Sequence, residues 1–422
     1  MYDLFSVYLE NGLKVIMHRI PTSRNIACGL WVKQGCKDED DLTNGLSHLI
    51  KHLVFHKDNC ENERFQKLVN FALAGGVVLD SQITKEYSSF YMTGLPDMIE
   101  NCIETLGSMV TEDNFDFSDE FIEREKKTVL KETIKFYSSF EQMKDRTSQA
   151  LWGNVGIGRI VYGEIENIKR ATKRQLLDII SASYTPSNST LVIIGNIDYI
   201  LALEFVNRYF GSWRDKASKR TLNLVNDHTS IYFNENCGDI ASISVGFRTP
   251  AYNDEERINL EIIADILGEV SLQARLVREM RIKRGVAYSI ESFTDFFQNN
   301  GTLGFKIVCD NKNVNDVINI MTEELQKIRN SGFTDREINR AKKSLETRRL
   351  IEMNDIINHL KLLGKSFSYE KIFSPEQEAA AIRRIEKESL HNTFNSTFVE
   401  ENMGFAAVGN FNMEKAIAVL RI

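Results

Sequence analysis

The chain of 422 residues is sparing in several respects, and each shortage narrows what it can be. Five prolines and no low-complexity tract leave little room for disordered linkers. The six cysteines (Cys28, Cys36, Cys60, Cys102, Cys237, Cys309) are scattered, with no C-x-x-C pair, so they read as reduced, mostly buried thiols and not as a disulfide framework or zinc ribbon. No stretch approaches the roughly 18 consecutive apolar residues of a membrane span. The opening Met1-Tyr2-Asp3-Leu4-Phe5 lacks the basic, then apolar, then small-residue order of a secretory signal. Positive charge is also short. Against 59 Asp and Glu stand 52 Lys and Arg, a net charge of -7, which argues against nucleic acid or an anionic membrane as the main partner. The expectation is a cytoplasmic protein with neither nucleic-acid nor membrane partners.

What is present is ordinary globular material, 42% apolar and 26% charged, in a chain too long for one core. The organisation is a repeat. Leu191-Val192-Ile193-Ile194-Gly195-Asn196 and Ala406-Ala407-Val408-Gly409-Asn410 are β-rich runs that end alike, about half the chain apart. Upstream of them, Lys126-Lys127-Thr128-Val129-Leu130-Lys131-Glu132 resembles Lys342-Lys343-Ser344-Leu345-Glu346 at nearly the same offset. Two copies of one α+β unit fit both observations. The expected division is a domain over 1–210, a polar connector over 211–230 and a second domain over 231–422. Asn11-Gly12, between two apolar runs, predicts a hairpin. Leu46, Leu49, Ile50, Leu53 and Val54 predict a helix over 44–56, and a long charged helix is expected over 119–137.

His48 and His52 stand at i and i+4, so both imidazoles share one helical face and can bind one zinc ion. In the inverted zinc-peptidase motif, H-x-x-E-H, the intervening glutamate activates the zinc-bound water. Here that position is Lys51, a cation that cannot do a carboxylate's work. A third ligand must come from elsewhere, and Glu132 on the helix 119–137 is the candidate. Glu125 lies about two turns earlier, on the same side, where it could orient a ligand. His56 is roughly 12 Å from His48 along the helix axis and reads as a helix-end residue, not a ligand. By itself H-x-x-x-H is weak, because paired histidines also occur on partly exposed helices.

Several segments together are more specific. Asn44-Gly45-Leu46-Ser47-His48 through Leu53-Val54-Phe55, Gly75-Gly76, and Glu123-Arg124-Glu125 through Leu130-Lys131-Glu132 closely resemble the insulinase, pitrilysin and mitochondrial-processing-peptidase family of inverzincins, in its short two-domain bacterial form. Tyr184-Thr185-Pro186-Ser187-Asn188 and the segment Arg275 to Ser289 carry the likeness across the rest of the chain. The resemblance implies two homologous α/β-sandwich-like halves, antiparallel-rich sheets covered by helices, that form a clamshell. It implies His48, His52 and Glu132 as zinc ligands and Glu125 as their support. It also implies Arg281 and Tyr288 as the pair that the C-terminal half presents to substrate.

The departures from that pattern shape the functional expectation. An ammonium about 5 Å from Zn²⁺ at an effective dielectric near 20 is opposed by roughly 6 kcal/mol, so zinc binding is expected to be weak or lost. On the edge strand that in the family pairs with peptide as Asn-Ala-x-Thr, this chain reads Asp80-Ser81-Gln82-Ile83. After Phe55, His56-Lys57-Asp58 replaces Lys-Gly-Thr. The leading expectation is a processing-peptidase-like subunit that binds unfolded peptide or leader segments in a closed chamber. It would be the non-catalytic partner, bearing Arg281 and Tyr288, of an H-x-x-E-H-bearing paralogue in a heterodimer. A zinc metalloendopeptidase active in its own right, or one inactivated by a Glu-to-Lys substitution at position 51, is the second reading. A metal-free structural or peptide-binding protein is the third.

Overall fold

The computed structural model describes residues 4–56, 62–110, 115–215, 230–235, 238–268, 271–369, 371 and 374–420. The chain forms two compact units, one from Met1–Lys135, Ile160–Leu224 and Glu352–Ile372, the other from Phe136–Arg159, Val225–Ile351 and Phe373–Ile422. This differs from the contiguous division at 211–230, because each unit takes one segment from the other half of the sequence. Of the expected connector, 216–229 lies outside the described residues.

The first unit holds strands β1 (Leu4–Tyr8), β2 (Lys14–Arg19), β3 (Ile26–Val32), β4 (Val78–Ile83), β5 (Ser88–Gly94) and β6 (Ser189–Gly195). Its helices begin with α1 (Leu46–Val54), α2 (Glu63–Ala74), α3 (Ile99–Met109) and α4 (Asp119–Tyr137). The sheet order is β1-β2-β6-β3-β5-β4, which leaves β4 at an edge. The predicted hairpin joins β1 to β2. Gly12 adopts φ 91° there, and Asn11 Nδ2 ties the turn to the Phe210 and Trp213 carbonyls at 2.8 and 2.9 Å. Side chains alternate along the strands. Val15, Met17, Leu30 and Ile193 join Leu49, Leu53 and Val129 in one core, while Ile16, Trp31, Val192 and Ile194 face the other way.

The second unit begins with α5 (Met143–Trp152). The chain then returns to the first unit for α6 (Ile165–Arg170), α7 (Lys173–Ser183) and α8 (Tyr199–Phe210). Strands β7 (Ile231–Glu235), β8 (Ile240–Thr249), β9 (Ser289–Phe296), β10 (Gly301–Asp310) and β11 (Met403–Gly409) form the second sheet, in the order β7-β11-β8-β10-β9. Helices α9 (Arg257–Leu267), α10 (Val314–Ser331) and α11 (Asp335–Asn354) belong to this unit, as do α13 (Pro375–Arg384), α14 (Lys387–Thr397) and α15 (Met413–Val419). Only α12 (Ile356–Ser368), between α11 and α13, crosses back into the first. The repeat read from the sequence is a topological one. β6 runs parallel to β2 and antiparallel to β3, and β11 runs parallel to β7 and antiparallel to β8. Fold class is therefore α+β in both units.

The exchanged helices fit because glycine admits them. A Cβ on Gly364 of α12 would lie 2.0 Å from the Trp31 ring, and one on Gly246 of β8 would lie 2.3 Å from Thr147 of α5. Leu360 and Leu363 of α12 close the Trp31 face. Each such fully buried side chain contributes about 1.5–3 kcal/mol. On α5, Thr147 Oγ1 donates to Ser244 Oγ at 2.6 Å. The four described cysteines, Cys28, Cys36, Cys102 and Cys309, are buried and free. Among the described residues no helix is long and apolar enough to cross a membrane.

Candidate metal centre

Helix α1 starts at Gly45, whose φ of 108° suits glycine, and buries Leu46, Leu49, Ile50 and Leu53 against the sheet. That packing fixes the rotation of the helix, so His48 and His52 emerge one turn apart toward α4. There Glu132 Oε2 lies 3.1 Å from His48 Nε2 and 3.3 Å from His52 Nε2. The three residues offer ligand atoms that all lie within 4.8 Å of one another. Ligands about 2.0–2.1 Å from a tetrahedral zinc stand about 3.3 Å apart. The donor set therefore fits zinc, with two imidazole nitrogens and one carboxylate oxygen converging on one point. Without metal the same spacing serves as a hydrogen bond.

The supporting groups agree with that fit. Ligation through Nε2 places the imidazole protons on Nδ1. His52 Nδ1 lies 3.7 Å from Glu125 Oε2. His48 Nδ1 is buried without a hydrogen-bond partner among the described residues. Burial pulls the His48 imidazole down to about 4, helped by the charges of Lys51 and His52 and opposed by Glu132. It is thus neutral at ordinary pH, the form a metal needs. Glu132 is held well below the usual carboxylate range, first by hydrogen bonds from His48 and His52.

Glu125, 1% exposed, faces the same side of α4 as expected. Its Oε1 meets Arg124 Nε and His56 Nε2, each at 3.3 Å. His56 lies outside the His48, His52 and Glu132 group and braces Glu125, a role that its place beyond the helix end concealed. Tyr162, which packs edge-on against His48 with ring centroids 5.1 Å apart, was also invisible to motif reasoning.

Lys51 is half-buried beside these groups. Among the described residues its ammonium has no hydrogen-bond or ion-pair partner at contact distance, while its carbonyl accepts from Phe55 N. Burial lowers its pKa, while the Glu132 and Asp80 carboxylates act to raise it. Asp80 lies on the edge strand β4 with Ser81 and Gln82, and its Oδ2 accepts from Tyr91 Oη at 2.6 Å. Its charge sits in place of the neutral asparagine of the pattern, and it partly balances Lys51.

Arg281 and Tyr288 belong to the second unit. Arg281 is exposed on the helical turn Val277–Lys283 and lines a cavity of about 150 Å³ with Leu272, Ser289 and Glu291. Tyr288 is 56% exposed, and its hydroxyl donates to Asp310 Oδ1 at 2.5 Å.

The family model for insulinase, peptidase family M16, matches residues 14–164, and that for the peptidase M16 inactive domain matches 170–345. The chain is 26% identical to an uncharacterised zinc protease of Mycobacterium leprae over 97% of its own length and 92% of that protein's. It is 22% identical to the beta subunit of the mitochondrial-processing peptidase of Saccharomyces cerevisiae, covering 95% of this chain and 90% of that one. In fold it is similar to a protease from Helicobacter pylori, with TM-score 0.86, 15% identity, and 97% and 100% of the two chains covered. It is equally similar to a peptidase M16 inactive domain from Pseudomonas fluorescens, with TM-score 0.86, 15% identity, and 97% and 98% covered.

Proposed function

The chain belongs to the insulinase family of peptidases, family M16, and on that footing we propose that it is a peptide-binding, processing-peptidase-like subunit with no peptidase activity of its own. One observation carries the reading: Lys51 occupies the place of the general base, beside a convergent ligand set. An ammonium cannot accept a proton from water, and removing a general base costs on the order of 10² to 10⁴ in rate. In this proposal His48, His52 and Glu132 hold Zn²⁺, weakly because of Lys51, and Glu125 orients His52. Zinc, when bound, would polarise a peptide carbonyl or a water.

The chain's own residues then serve binding. The open edge of β4, at Asp80, Ser81 and Gln82, offers main-chain groups to an extended, unfolded peptide. Arg281 suits backbone carbonyls, and the Tyr288 hydroxyl suits an oxyanion once it leaves Asp310. An H-x-x-E-H-bearing paralogue supplies the base in a heterodimer. The relative named as a subunit of a processing peptidase supports a role in a complex.

The test is a cleavage assay with purified chain and unstructured peptides, with zinc and with chelator, alongside anisotropy of labelled peptide. Saturable binding without cleavage is expected, and chelator-sensitive cleavage by the chain alone would sink the reading. The complete ligand set favours as second reading a zinc endopeptidase stopped only at position 51. Zinc analysis separates both from a metal-free scaffold.

A further inference from the structure

We propose that Glu39 is the positioning residue of the metal centre, holding the start of α1 so that His48 and His52 converge on Glu132. The proposal rests on the reading of His48, His52 and Glu132 as metal ligands. Glu39 lies before the helix, 2% exposed, and touches none of those three groups. Its Oε1 accepts from Ser47 N at 2.6 Å, and its Oε2 accepts from Gly45 N and Asn44 Nδ2, each at 2.9 Å. The first amides of a helix have no partner within it, and a cap side chain normally satisfies them. Here the cap position is Gly45, which has no side chain, so a carboxylate from outside the helix does the work. In its ionised form, which burial disfavours, it also places negative charge at the positive end of the helix dipole.

The anchoring continues outward. Asn44 Nδ2 donates to the Ile160 carbonyl at 3.1 Å, and the Asn44 carbonyl accepts from Glu164 N at 3.1 Å. These contacts clamp the helix start to the segment that carries Tyr162, whose ring abuts His48. Gly163 crosses so close to Gly45 that a Cβ on it would fall 2.0 Å from the Gly45 Cα. On the other side Ser47 Oγ accepts from Gln34 Nε2 at 3.0 Å, and Gln34 Oε1 accepts from Ser183 Oγ at 2.6 Å. Ser47 directly precedes His48, so a shift of its amide moves the first ligand with it. Groups bonded directly to a ligand typically set metal affinity by 10–100-fold, and Glu39 acts on the ligands through the helix start.

The experiment compares Glu39→Gln with Leu106→Ala in the full chain, Leu106 being a buried core residue of α3. Glutamine keeps the shape but turns an NH₂ toward a backbone amide. Zinc affinity is read by chelator competition and stability by melting temperature. Glu39→Gln is expected to weaken zinc binding at least about tenfold, while Leu106→Ala lowers the melting temperature and leaves zinc affinity within about twofold. A Glu39→Gln protein with lowered melting temperature and unaltered zinc affinity overturns the proposal.

If the unaltered chain takes up no zinc, the metal reading falls on its own, and amide hydrogen exchange then judges the positioning role. The His48 to His52 amides are expected to exchange about tenfold faster in Glu39→Gln than in Leu106→Ala, and equal protection overturns it. Should Glu39→Gln not fold, Glu39→Asp, one methylene short of its donors, is read in the same way.

Discussion

In the first unit, α1 and α4 bring two imidazoles and a carboxylate within 4.8 Å of one another. In the second unit α9 follows β8 as α1 follows β3, and α11 matches α4 in the repeat, yet the pair carries arginine and aspartate instead. Arg340 and Arg348 reach Asp265 at 3.1 and 3.4 Å, and Arg257 and Arg349 close a further network on Glu261 and Glu378. In the second arrangement every charge has a partner of opposite sign, four guanidinium groups on three carboxylates. The first leaves two imidazole nitrogens and one carboxylate aimed at a common point, with Lys51 beside them. One helix pair is closed by ion pairs, while the other presents three converging donor atoms. The duplication kept the frame and divided the chemistry.

The contrast can be sharpened most by restoring the base. Lys51→Glu is expected to raise zinc-dependent cleavage of an unstructured peptide by about 10²–10⁴-fold, measured as chelator-sensitive turnover. No gain with zinc bound would mean that more than the base has been lost. Next in size, Asp265→Ala leaves two arginines facing each other without their anion. It is expected to destabilise the second unit by about 2–4 kcal/mol, read from denaturant unfolding, and to leave zinc content unchanged.

Acid should distinguish the units through Glu337. Burial would push its carboxyl up, but Arg275 at 2.7 and 2.8 Å and the Thr334 amide and hydroxyl hold it down to about 2. Because the folded value lies below the unfolded one of 4.5, its stabilisation is complete above pH about 4.5 and fades toward pH 2. Glu337→Gln is therefore expected to flatten the acid-unfolding profile over that window by roughly 2–3 kcal/mol. Smallest is Tyr288→Phe, which removes one exposed hydroxyl bond. Stability should shift by less than about 1 kcal/mol, while peptide affinity measured by anisotropy falls; unchanged affinity would remove Tyr288 from the proposed clamp.

Much of this was legible in the sequence wherever the signal is local. Asn11-Gly12 turns where expected, the apolar spacing of Leu46 to Val54 gives α1, and the two Gly-Asn endings mark strands in the same topological place. His48, His52 and Glu132 meet because two helical periodicities each put their polar residues on one face. The exchange of α5 and α12 was not legible, since it depends on which distant sheet face each helix covers and on gaps at Gly246 and Gly364. Glu39 escaped for a similar reason. One carboxylate within the acidic run Asp38-Glu39-Asp40-Asp41 looks like its neighbours in sequence, and only the folded turn brings three donors to it.

The return of α12 to the first sheet also sets a timetable. About 160 residues separate the end of β6 from the start of α12. At some 5–20 residues per second, synthesis leaves the face of Ile16, Trp31, Val192 and Ile194 without α12 for on the order of ten to thirty seconds. For that interval this apolar face lacks its cover of Leu360 and Leu363. A chaperone that attends this chain during translation would find its natural foothold there, at Trp31, until α12 arrives.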